Sequence, residues 1–76
     1  MTDIYVEVFK TSVEHSKEAK ELLKILQAHF PECSFNFDLD DCDRILRAQG
    51  VRILQEVSGV MQVVEATGHR IEVLQE

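Results

Sequence analysis

SFNFDLDDCDRILRAQG, residues 34–50, predicts two short strands joined by a polar turn. In SFNFDL (34–39) apolar side chains alternate with polar ones, which is the two-residue period of a strand with one buried face. DDCD (40–43) is rich in turn-forming residues, and RILRAQG (44–50) resumes extended periodicity. The segment therefore predicts a β-hairpin in the middle of the chain.

A strand is also predicted before this hairpin, because DIYVEVFK (3–10) alternates as well. We expect one face of it to contact the helices of the fold, through Ile4, Val6 and Val8. The opposite face would then carry Tyr5, Glu7 and Phe9.

A helix should connect the first strand to the hairpin. Thr11 followed by Glu14 matches a capping box, so we expect the helix to begin at Ser12 or Val13. Pro31 should end it. Its apolar positions recur at steps of three and four residues, at Ala19, Leu22, Leu23, Leu26 and Phe30.

The chain after the hairpin repeats this order of elements. Apolar residues trace one helical stripe, formed by Ile53, Leu54, Val57, Val60, Met61 and Val64. Gly68 is typical of a residue that follows the end of a helix. HRIEVLQE (69–76) alternates again and predicts a last strand.

The order strand, helix, strand, strand, helix, strand predicts an α+β, ferredoxin-like βαββαβ fold in a single domain over residues 1–76. Right-handed crossovers give an antiparallel four-stranded sheet of order 4-1-3-2 with both helices on one face. The other face of the sheet stays open to water or to a partner.

Composition limits the classes of function. The 76 residues are 45% hydrophobic and 29% charged, with a formal net charge of −6. Such a surface repels phosphate backbones and anionic lipids, so we expect neither nucleic acid nor membrane as partner. Without a membrane span or signal peptide, the expected location is cytoplasmic. Cys33 and Cys42 match no zinc or redox spacing and are predicted to be unpaired thiols.

The sequence resembles the heavy-metal-associated domain, the module of copper chaperones and metal-transporting ATPases. NFDLDDCDRILRAQG resembles the V-x-V-D and V-x-V-x-G strands of that family, and VVEATGHRIEVL resembles its A-I-E-x-A-G-[YF]-x-x-x-V ending. The family's M-T-C-x-x-C motif falls on residues 10–15. This resemblance also implies a ferredoxin-like fold.

At the motif itself the chain departs from the family. Thr11 is retained, but Ser12 and His15 stand where the family has its two metal-binding cysteines. A serine hydroxyl and one imidazole are poor replacements for the two thiolates that bind a soft Cu(I) ion. We therefore expect KTSVEH (10–15) to be a helix cap in a degenerate metal loop, and the chain to be a protein-interaction or regulatory module.

Binding of a different metal is the alternative. The predicted topology brings the 10–15 loop, the 40–43 turn and the 68–70 loop to one end of the sheet. Imidazole, carboxylate and thiol ligands suit Zn²⁺, Ni²⁺ or Cu²⁺. The candidate ligands at this end are His15, Glu14, Cys42 and His69, with Asp40, Asp41 and Asp43 nearby.

No sequence pattern supports an enzyme, because no nucleophile accompanied by an oxyanion hole and no phosphate-binding glycine loop is present. We expect no cofactor unless a transition metal ion binds. The partner would be another protein or a second copy of the chain, bound at the open face of the sheet. The predicted contact residues on that face are Tyr5, Phe9, Ile45 and Leu74.

Overall fold

A computed structural model describes residues 3–39 and 44–74. Within these ranges the chain forms two helices and four strands in the predicted order. The predicted turn at 40–43 lies outside the described residues. The elements are β1 (Tyr5–Thr11), α1 (Ser16–His29), β2 (Ser34–Asp38), β3 (Ile45–Gly50), α2 (Ile53–Ala66) and β4 (Ile71–Val73).

The described strands form one antiparallel sheet of order β2-β3-β1-β4. Read from the other edge this is 4-1-3-2, so the predicted ferredoxin-like α+β fold is confirmed. The two long central strands pair over six positions, from Tyr5 with Gly50 to Lys10 with Ile45. β2 and β4 form the edges, and β4 has only three residues.

The core lies between the helices and one face of the sheet. Each helix contributes an apolar stripe at the spacing that the sequence predicts, because residues three and four apart share a face. The buried side chains include Ala19, Leu22 and Leu26 of α1, Ile53, Val60 and Val64 of α2, and Phe9, Leu46, Ala48 and Ile71 of the sheet. Leu54 is an exception to the prediction for α2, since its side chain is exposed.

β1 presents the opposite face from the one predicted. Phe9 is fully buried in the core, and in the ladder it lies opposite the buried Leu46. Val6 is on the other face and is 53% exposed. The alternation that buries Phe9 continues through Thr11 to Val13, both buried. The prediction that Ile4, Val6 and Val8 face the helices is therefore wrong.

The start of α1 also differs from the prediction. Thr11 is the last residue of β1, and the helix begins at Ser16 with His15 in the N-cap position. The predicted capping box of Thr11 and Glu14 is wrong, because the hydroxyl of Thr11 is used elsewhere. The end of α1 at His29, just before Pro31, agrees with the prediction.

The end of α2 also agrees with the sequence. Gly68 has a φ of 92°, a left-handed conformation that glycine adopts without steric cost, and its amide donates to the carbonyl of Glu65. The hydroxyl of Thr67 donates to the carbonyl of Val64 at 2.6 Å. Neither helix of the described ranges is long and apolar enough to cross a membrane.

Candidate functional site

Thr11 ties the end of β1 to the start of β3. Its backbone amide and its hydroxyl both donate to the carbonyl of Arg44, at 3.2 and 2.8 Å. The same hydroxyl accepts a bond from the amide of Val13 at 3.3 Å. A hydroxyl that is buried and satisfied in this way fixes a loop and is not available as a ligand.

Ser12 ties the same loop to the residue before β4. Its amide donates to the carbonyl of Arg70 at 3.1 Å, and its hydroxyl accepts from the amide of Arg70 at 2.8 Å. These two hydrogen bonds join Ser12 and Arg70 as a hydrogen-bonded pair joins two antiparallel strands. The structure therefore brings the ends of the 10–15 and 68–70 loops together at one end of the sheet, beside Arg44.

Two of the predicted divalent-metal ligands, Glu14 and His69, contact different residues. Glu14 forms an ion pair with Arg44 at 3.5 Å, and His69 contacts the carboxylate of Glu18 at 3.3 Å. His15 is an exposed N-cap residue. Within residues 3–39 and 44–74, no three His, Cys, Asp or Glu side chains lie close enough together to hold a metal ion. Cys42 and the aspartates at 40, 41 and 43 lie outside the described residues.

A shallow cavity of about 390 Å³ adjoins the same loop end. Two cations and two carboxylates share its wall with Thr11, Ser12 and Ile71, namely Lys10, Arg70, Glu65 and Glu72. Because the charges balance, the cavity favours neither an anionic nor a cationic ligand.

The open face of the sheet follows from the strand register. In each strand it comprises the residues that alternate with the buried ones: Ser34, Asn36 and Asp38 of β2, Ile45, Arg47 and Gln49 of β3, Val6, Val8 and Lys10 of β1, and Glu72 of β4. Leu74 continues this alternation after β4, and its amide donates to the carbonyl of Val8 at 2.9 Å. Apolar side chains thus lie toward β1 and β4, and polar ones toward β2.

Two of the four predicted contact residues lie on the open face. Leu74 is there and is 36% exposed. Ile45 is there too, but it is only 4% exposed between the cross-strand neighbours Lys10 and Asp38, so its predicted exposure is wrong. Phe9 is buried on the helix side. Tyr5 is exposed, but its register opposite Gly50 places it on the helix side as well.

For two aliphatic residues of this surface, the sequence pattern predicts the wrong face. Val6 and Val8 lie on the open face, and Val6 is the more exposed. The signal was present in the sequence, because the alternation from Phe9 through Thr11 to Val13 places three apolar or small side chains on the same side.

The charges of the open face cancel. Arg47 forms an ion pair with Asp38 at 3.8 Å, and Lys10 lies opposite Glu72 in the ladder. Among the described strand residues on this face there are thus two cations and two carboxylates. The whole chain, by contrast, carries a net charge of −6. The open face is therefore less acidic than the rest of the molecule.

Comparison of the sequence with protein-family models, with curated proteins and with solved structures gave no match.

Proposed function

We propose that this chain is a small, non-enzymatic protein-binding module whose partner docks on the open face of the sheet. The observation that carries the proposal is the exposure of Val6 and Leu74 on a face whose charges balance. An apolar area bordered by polar residues is the usual composition of a protein-docking surface. A folded protein partner is favoured over nucleic acid or lipid, because the acidic chain repels both of those.

The exposed aliphatic side chains supply the driving force. Burial of apolar surface stabilises a complex by about 25 cal/mol per Å², so full burial of one valine or leucine contributes roughly 1.5–3 kcal/mol. Lys10, Arg47 and Glu72 border the apolar strip formed by Val6, Val8 and Leu74, and they would set the orientation of the partner more than its affinity.

A substitution pair tests the proposal. Val6→Lys places a charge in the strip, whereas Tyr5→Lys places the same charge at the adjacent, 44% exposed position on the helix side. A purified partner first captured by the wild-type protein should bind Tyr5→Lys within about twofold and Val6→Lys at least about tenfold more weakly in calorimetry. Equal binding of all three proteins would refute the open face as the docking site.

We also propose that the fold derives from the heavy-metal-associated type and that its metal loop has become a structural junction. The hydrogen bonds of Thr11 and Ser12 to Arg44 and Arg70 support this role for the loop. The double variant Ser12→Cys, His15→Cys should then compete with a Cu(I) chelator, whereas the wild type should not. Cu(I) binding by the wild type that persists in a Cys42→Ser variant would contradict the proposal.

A further inference from the structure

We propose that two copies of this chain pair through the exposed edge of β2, so that their sheets join into one continuous eight-stranded sheet. The inference is independent of the open-face proposal, because this ladder forms along the rim of the sheet and leaves its face uncovered. β2 covers Ser34–Asp38, and among the described strands it pairs on one side only, with β3.

The outer edge of β2 pairs with no other strand in the part of the chain that the structure describes. Apart from the ladder with β3 and the ion pair of Asp38 with Arg47, no other hydrogen-bond partner of β2 occurs among residues 3–39 and 44–74. In an edge strand of this length alternate residues direct their N–H and C=O groups outward. These groups form a template for another strand.

β2 has few of the features that usually protect an edge. Natural edge strands are kept from pairing by proline, by charged side chains, above all lysine, or by extreme shortness. The one charged residue of β2, Asp38, is paired with Arg47. The sequence SFNFD contains neither proline nor lysine, whereas the opposite edge, β4, has only three residues. The two edges of the sheet therefore differ, and β2 is the one suited to pairing.

The sequence of β2 is complementary to itself in the antiparallel direction. With a two-fold axis through Asn36, each Asn36 faces its copy, Phe35 faces Phe37, and Ser34 faces Asp38. Aromatic pairs then lie on the helix side, and a hydroxyl faces a carboxylate on the open side. Both are favourable cross-strand pairs, and no like charges face each other. About four to six backbone hydrogen bonds would form.

Apolar side chains at this edge are still incompletely covered. Phe35 and Phe37 pack against the core but remain half-buried, as does Leu23 of α1. Leu23 lies one turn before Gln27, whose amide donates to the carbonyl of Cys33 just ahead of β2 at 2.8 Å. The α1 surface beside β2 is therefore partly apolar, and a second copy would cover it. The partner that fits this edge best is β2 of a second copy of the chain.

Sedimentation velocity across a concentration series tests the pairing. The wild type should shift from the 8.7 kDa monomer to twice that mass, with a Kd in the micromolar range expected of a small interface. Asn36→Lys places two lysines opposite each other on the axis and should raise the Kd at least about tenfold. Ser34→Lys, on the same face of the same strand, places its lysine opposite Asp38 and should keep or lower the Kd.

Two controls separate this pairing from other assemblies. Circular dichroism should show that Asn36→Lys and Ser34→Lys keep the wild-type fold, since both side chains are exposed on the open face. Val6→Lys should dimerise like the wild type, because Val6 lies away from the edge. A wild type that stays monomeric at millimolar concentration would overturn the proposal. So would a dimer that Val6→Lys dissociates and Asn36→Lys does not.

Discussion

Arg44 has a left-handed backbone with a φ of 50°, and its carbonyl accepts both bonds from Thr11. A residue with a side chain adopts this conformation at a cost of roughly 1–2 kcal/mol, and a β-branched residue is the least suited to it. Those two bonds hold the conformation in place. The backbone conformation of Arg44 therefore determines whether these two hydrogen bonds can join the end of β1 to the start of β3.

The order of stability of the glycine and valine variants should reverse between Arg44 and Arg47. At Arg44, we expect glycine to be more stable than valine by about 1–2 kcal/mol, because glycine accepts a positive φ. At Arg47, an ordinary strand position, valine should be more stable than glycine by about 1 kcal/mol. Urea denaturation of the four variants measures both differences. The same order at the two sites would contradict a left-handed Arg44.

Cys33 is a buried free thiol just ahead of β2. Burial raises the pKa of this thiol above its ordinary value, and the nearby negative charges of Glu56 and then Glu32 act in the same direction. The folded protein therefore holds the thiol in its protonated, unreactive form at neutral pH. The contribution of the protonated Cys33 thiol to the free energy of unfolding is fully present below the pKa of the unfolded thiol. It is lost as the pH rises through the pKa of the folded thiol.

In a Cys42→Ser variant, Cys33 should thus react with a disulfide reagent at pH 8 at least about tenfold more slowly than in urea-unfolded protein. The rate should rise as the pH rises above the ordinary thiol range. The reaction is followed by absorbance, with free glutathione as the unburied control. Reaction of the folded variant at the rate of glutathione would show that Cys33 is accessible and ionised.

At the scale of elements, β1 shows that alternation can predict a strand correctly and its buried face wrongly. Both of its faces carry apolar side chains, so a two-residue period establishes a strand without establishing which side is inside. The aliphatic residues Val6 and Val8 are typical of a face turned toward the core. Phe9 buries more area, however, and lies opposite Leu46 on the neighbouring strand. Packing against the helices determined the face.

The corrected face has a direct consequence for stability. Phe9→Ala should lower the free energy of unfolding by about 3–5 kcal/mol, because it leaves a cavity in a small core. Val8→Ala, at the next position on the open face, should cost less than about 1 kcal/mol. Urea denaturation of the two variants measures these costs. A larger cost for Val8→Ala would restore the original assignment of β1.

The other elements could be predicted because their patterns have one solution. The stripe of α1, the stripe of α2 apart from Leu54, the pairing of the two hairpin strands, Pro31 and Gly68 agree with the structure. The start of α1 could not be predicted, since Thr11 matches a helix cap as well as a strand end, and a bond to Arg44 distant in sequence decides between them. The divalent-metal alternative stays a prediction, because Cys42 lies outside the described residues; of its described candidates, Glu14 pairs with Arg44 and His69 with Glu18.

At the scale of the whole molecule, the charge of the open face differs from that of the chain as a whole. The open face is balanced, so the net charge of −6 belongs to the rest of the chain. The described ion pairs of Glu14, Asp38 and Glu18 are all at least partly exposed. Such pairs contribute about 0–1 kcal/mol each, so they offset little of the repulsion among the remaining carboxylates.

Because repulsion among the excess carboxylates outweighs the weak ion pairs, we expect sodium chloride to stabilise the fold. Raising ionic strength from about 0.01 to 0.5 M screens the repulsion that the excess charge produces, and should raise the free energy of unfolding by up to about 1 kcal/mol. Urea is the suitable denaturant, because guanidinium chloride is itself a salt. Glu21→Gln combined with Glu65→Gln should flatten the dependence, since it removes two exposed carboxylates.

The matched variant Lys17→Gln with Lys24→Gln should steepen the dependence, because it removes two exposed cations and increases the net negative charge. Both double variants alter exposed positions of similar kind, so loss of packing affects them alike. If the urea midpoint of the wild type falls as sodium chloride is added, the exposed ion pairs outweigh the repulsion. The same screening reduces the electrostatic repulsion between two acidic copies of the chain. The Kd of pairing through β2 should therefore fall as sodium chloride is added.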